Sequence, residues 1–93
     1  MIDEFKIQKQ VAGIAASPEP PLRKARLILR LARRVRDAAR ALGGHSHRSF
    51  QDGDTLRAAR MREAGDRLIE THAEIRAKAG AALAEPMRSA DSR

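Results

Sequence analysis

Eight cationic side chains, Arg23, Lys24, Arg26, Arg30, Arg33, Arg34, Arg36 and Arg40, crowd residues 22–42, where the one acid is Asp37. Their chemistry is the capture of anions. Guanidinium is a planar fork that meets carboxylate or phosphate with two parallel hydrogen bonds, and seven of the eight are arginine. Summed by segment, residues 1–21 give −1, 22–42 give +7, 43–53 and 54–85 give 0 each, and 86–93 give +1, which accounts for the net +7. One segment therefore carries the imbalance, and it predicts contact with a negatively charged partner. Nucleic-acid backbone, DNA or RNA, is the leading candidate for that partner, and an acidic protein surface is the alternative. Base readout has little support, because Phe5 and Phe50 are the only aromatic residues and offer no stacking platform. An anionic membrane surface is a third option for a basic amphipathic helix, weakened by the absence of Trp and the many alanines on the apolar side.

Other constellations are poorer. His45, His47 and His72 are all the histidines, with Asp52 and Asp54 near the first two. Two histidines at i, i+2 in a polar stretch, with no cysteine, do not make a metal-ligand set, so no metal and no cofactor are expected. His72 instead falls on an apolar seam. Glu63, Asp66, Glu70 and Glu74 form an acidic stripe at helical spacing, which is predicted to neutralise part of the arginine array across a helical hairpin. Gly43-Gly44-His45 lacks the Gly-Lys-Ser/Thr ending of a phosphate-cradling loop, and no serine sits in a glycine elbow. The chain reads as non-catalytic.

The elements that must hold these residues are helices. In residues 3–15, Ile7, Val11 and Ile14 recur at i, i+4, i+7. Ser17-Pro18-Glu19-Pro20-Pro21 then interrupts, and Pro21 suits the first turn of a second helix. That helix is expected over 21–42, with Ile28, Leu31, Val35 and Leu42 on a seam of alternating threes and fours and the arginines on the opposite side. Gly43-Gly44 reads as its stop, followed by a polar loop through Gly53. Asp52 or Asp54 caps a third helix over 54–84, whose seam contains Met61, Leu68, His72 and Ile75, and Pro86 ends it. Glu63–Arg67 and Glu74–Lys78 are expected as favourable pairs along it.

The predicted fold is all-α: a single helical domain, residues 1–85, built as an antiparallel hairpin of two long helices plus a short N-terminal helix, with 86–93 as a frayed tail. Of the 39 apolar residues, 18 are alanines, which bury little area, so a lone core is thin. With no disulfide to compensate, burial against a second copy or another subunit is expected, giving a three-helix or dimeric bundle and a homo- or hetero-oligomer. No apolar run is long enough to span a bilayer, and the acidic, polar MIDEFKIQ does not resemble a signal peptide. The expectation is a cytoplasmic, non-enzymatic helical subunit of a larger assembly, which contacts nucleic-acid backbone without sequence preference or docks on acidic protein.

Overall fold

The computed structural model describes residues 2–91, with side chains through residue 84. Three helices follow one another: α1, Glu4–Ala15; α2, Pro21–Gln51; and α3, Thr55–Asp91. No strand occurs among the described residues. α2 and α3 form an antiparallel hairpin, α1 lies against both, and the assembly is a rod of 62 × 20 × 15 Å.

Each helix starts where a side chain or proline satisfies its first turn. Asp3 caps α1, its carboxylate accepting from the Lys6 N–H at 3.1 Å. Pro21 opens α2, where its missing N–H costs no hydrogen bond. Asp54 caps α3, accepting from the Arg57 N–H at 3.1 Å.

The second helix does not stop at Gly43-Gly44. It runs nine residues beyond the expected end at Leu42, through His45, His47 and Phe50 to Gln51. The turn is made instead by Gly53, whose φ of +84° makes it the one glycine with positive φ among the described residues. Its N–H donates to the Phe50 carbonyl at 3.1 Å, and the Asp54 N–H donates to the Ser49 carbonyl at 2.9 Å. That double closure is the Schellman arrangement, which needs a left-handed residue at its centre. Packing explains why Gly43-Gly44 stays helical. Leu42 packs against the core, and just beyond the pair Ser46 Oγ donates to the Ala58 carbonyl at 2.8 Å while Ser49 Oγ lies 3.8 Å from Met61 Sδ. Tertiary contact on both sides outweighs a helix penalty of about 1 kcal/mol per glycine.

The expected stop at Pro86 is also displaced, since α3 carries on to Asp91. Proline withdraws one donor, and the helical bonds on either side of the gap remain. The expected tail, 86–93, is therefore helical as far as Asp91, and its last two residues lie outside the described residues. With 31 residues in α2 and 37 in α3, α3 remains the longer by six residues, about 9 Å of helix.

The core is a single ribbon. Val11, Ile28, Val35 and Ile75 are fully enclosed, joined by Ile7, Leu31 and Leu68 and by the alanines Ala25, Ala32 and Ala79. Alanines at the seam let the helix axes approach closely, which suits a thin core. α1 closes one side: Leu27 and Leu31 of α2 and Ala81 and Ala82 of α3 line crevices shared with its residues. Its other end, Ile2 and Phe5, reaches Leu42, Ala64 and Leu68. Among the described residues, no helix is long and apolar enough to cross a membrane.

Candidate anion-binding face

Leucine, alanine and arginine dominate the first six turns of α2, all good helix formers, so the segment is a continuous helical scaffold for its charges. Projected at 100° per residue, the seven arginines from Arg23 to Arg40 cover an arc of about 160°. They span about 26 Å along the axis. The buried residues Ala25, Ile28, Ala32 and Val35 occupy the other side, turned towards α3. All seven arginines are exposed.

Their partners within the chain are few. Arg23 pairs with Glu19 at 3.1 Å, and Arg36 reaches its neighbour Asp37 at 3.7 Å. Among the described residues, Arg26, Arg30, Arg33, Arg34 and Arg40 have no ion pair. Arg26–Arg30, Arg30–Arg34 and Arg36–Arg40 are like charges at i, i+4, each unfavourable in an exposed helix by a few tenths of a kcal/mol, or roughly 0.2–0.5.

Lys24 does not belong to this face. It is half-buried on the side towards α1, and its ammonium donates to the Ala15 carbonyl at 3.1 Å. A cation at a helix C-terminus neutralises the last carbonyls and the negative end of the dipole, so Lys24 fastens α1 and is not presented to a partner.

The acidic stripe of α3 behaves differently from expectation. Glu63, Asp66, Glu70 and Glu74 are all exposed, and among the described residues none pairs with an arginine of α2. Glu74 accepts from Gln8 Nε2 at 3.3 Å, a link to α1. The pairs Glu63–Arg67 and Glu74–Lys78 are not closed either. Among the described residues, then, no carboxylate of α3 closes on the arginine array across the hairpin.

The eight seam residues fall on the inner sides of the hairpin. Ile28, Leu31, Val35, Leu68 and Ile75 are buried, while Leu42, Met61 and His72 are half-buried. His45 and His47 lie on a continuous helix and not in a loop, so their side chains point about 200° apart and cannot close on one ion. Among the described residues, no three His, Cys, Asp or Glu converge as a ligand cluster.

One set of residues was missed by sequence reasoning. Leu22, Leu29 and Phe50 of α2 and Ile69 and Leu83 of α3 are large, apolar and exposed. The signal was present in their spacing: 22, 29, 36, 43, 50 and 62, 69, 76, 83 are seven-residue series, each one row beside a seam. Reading Gly43-Gly44 as a stop hid the first series. At the turn end these rows border a groove of about 570 Å³ between α2 and α3, lined by Ala39, Gly43, Phe50, Met61, Arg62 and Ile69 among others. No family model, curated protein or solved structure matches the chain.

Proposed function

We propose that the protein is a small, non-catalytic, cytoplasmic helical subunit of a larger assembly, which holds nucleic-acid backbone through the outer face of α2 without reading bases. The observation that carries this is the group of five exposed arginines, Arg26, Arg30, Arg33, Arg34 and Arg40, without an ion pair among the described residues. A helix gains nothing by itself from like charges at i, i+4, whereas a phosphate array relieves all of them together. Arginine suits the task because its fork grips a phosphate oxygen pair, and a convex rod can lie along a duplex without deforming it. The near absence of aromatic residues favours a duplex or structured RNA over a single strand.

Salt dependence tests this reading. Binding to a 20-base-pair duplex, followed by fluorescence anisotropy between 50 and 300 mM KCl, is expected to weaken along a log–log slope of about −4.5 if these five arginines meet phosphates. The double variant Arg30→Gln, Arg34→Gln is expected to flatten that slope by about 2, equally for unrelated duplex sequences. A flat titration, or a double variant with the parent slope, would overturn the reading.

A further inference from the structure

On the side away from α1, the turn half of the hairpin holds the groove of about 570 Å³ between α2 and α3, with no residue of α1 in its lining. Its floor is Ala39 from α2 and Ala58 and Gly65 from α3; farther along, Ala25, Ala32 and Ala79 are enclosed and the half-buried His72 lies between Gly65 and Ala79 in the α3 row. Gly65 marks the close approach, since a Cβ there would stand 3.8 Å from the Ala39 carbonyl oxygen and from Leu42 Cβ. The rims are the two seven-residue series. Five of the seven exposed large apolar residues lie on them, Phe50 at 64% and Ile69 at 58% exposure being the most open. The register set by Ser46 on Ala58 and Gly65 against Ala39 places Leu22 level with Leu83, Leu29 with Arg76, and Arg36 with Ile69. Leu29 and Ile69 thus each stand opposite an arginine, and Leu22 stands opposite Leu83.

We propose that this groove seats a fourth helix, an acidic amphipathic helix from a protein partner. Shape comes first: Ala39, Ala58 and Gly65 make a floor of small residues between the larger rim side chains Phe50, Arg62 and Ile69, which lets a helix pack at close range. Charge then selects the occupant. Arg36, Arg62 and Arg76 stand in the rims, and Arg26, Arg33 and Arg40 form the next row out on α2. Asp37 lies 3.7 Å from Arg36, and Asp66 stands in the next row out on α3. A second copy would bring the same cations against themselves, whereas a helix with Glu or Asp on both flanks of an apolar stripe meets the rim arginines Arg36, Arg62 and Arg76. Duplex backbone is a poor match, because phosphates would strip water from Leu29, Phe50 and Ile69 and give no apolar contact in return. The inference does not rest on nucleic-acid binding, which uses the outward rows of α2.

The test uses a synthetic helix of about 28 residues with Leu and Ala at the two seam positions of each heptad and Glu on both flanks. Its two controls are the same helix with Lys for Glu, and a Glu-rich helix without the apolar stripe. Binding to the full chain is measured by anisotropy, with sedimentation velocity of the chain alone in parallel. The Glu-flanked peptide is expected to bind, the Lys twin not to, and the stripeless helix to bind at least about tenfold more weakly. Phe50→Ser with Ile69→Ser is expected to lower affinity by about tenfold or more while leaving the duplex salt slope unchanged, as both side chains are exposed and off the outer face. Arg36→Glu, Arg62→Glu and Arg76→Glu together are expected to transfer preference to the Lys twin. No binding of the Glu-flanked peptide, equal binding of the stripeless helix, or indifference to the Phe50 and Ile69 changes would overturn the proposal. So would self-association of the chain that Ile69→Ser abolishes, which would assign the groove to a second copy. Arg30→Gln with Arg34→Gln affects only the duplex, so failure of either reading is recognised separately.

Discussion

Gly44 decides whether α2 is one helix or two. It lies mid-helix with no positive φ, and a Cβ built on it meets nothing within 4 Å. Gly44→Ala therefore keeps every contact and reduces the backbone freedom lost on folding, worth about 0.5–1 kcal/mol in favour of the variant. For a domain of this size that corresponds to a rise of about 2–8 °C in Tm. Gly53 supplies the opposite sign. Its φ of +84° is held by the two closing hydrogen bonds of the turn, and Gly53→Ala forces a Cβ into the left-handed region at a cost of about 1–2 kcal/mol. Thermal and urea unfolding followed by circular dichroism at 222 nm measures both, with the parent slope in urea as the check on two-state behaviour. If the chain turned at Gly43-Gly44, Gly44→Ala would destabilise and Gly53→Ala would be nearly silent. That reversal would refute the continuous helix, and with it the seven-residue series that reaches Phe50.

Two further outcomes follow from the packing. Ile75 is fully enclosed between the helices, so Ile75→Ala is expected to cost about 2–5 kcal/mol, read as a lower urea midpoint at unchanged slope, whereas the exposed Ile69→Ala should stay within about 0.5 kcal/mol. Lys24→Gln is expected to leave the duplex salt slope unaltered while speeding amide exchange in residues 4–15, because its ammonium holds the Ala15 carbonyl; a slope reduced by about 0.9 would return Lys24 to the anion-binding set.

What the sequence disclosed depended on how far each signal reaches. The seams were legible because Ile28, Leu31 and Val35, and Leu68 and Ile75, repeat at threes and fours, and burial follows that period directly. Asp54 was readable as one of two candidate caps, with Asp52, since a cap acts on N–H groups two or three residues away, whereas the same role of Asp3 was not read. Gly43-Gly44 and Gly53 presented two candidate stops with the same local chemistry. Choosing between them required the contacts of Ser46 and Ser49 with α3, twelve residues on, which no local rule contains. Lys24 was misplaced for a related reason: composition grouped it with the arginines, and only the docking of α1 shows which side of α2 it occupies. The exposure of the arginines was legible from amphipathicity, but the failure of the acidic stripe to reach them was a matter of side-chain distance.

α2 thus divides into three sectors around its circumference: a seam satisfied by α1 and α3, a rim of leucine and arginine, and an outward fan of guanidinium groups. Apart from Arg23 and Arg36, paired with Glu19 and Asp37, the last two lack partners among the described residues, and each is left unfavourable for a different reason, one through exposed apolar area and the other through like-charge repulsion. They are also close. A helix with side chains is about 10–12 Å across, and the Debye length at physiological salt is about 8 Å, so charge placed on the rim is felt by the fan. A carboxylate-rich helix seated beside Arg36 and Arg40 lowers the potential at Arg30 and Arg33 and weakens their hold on phosphate, even though the two ligands touch different rows. By linkage, phosphate on the fan weakens the acidic helix by the same factor. The sign of that coupling is fixed by charge alone, and its decline with added salt separates it from steric exclusion, which salt leaves unchanged.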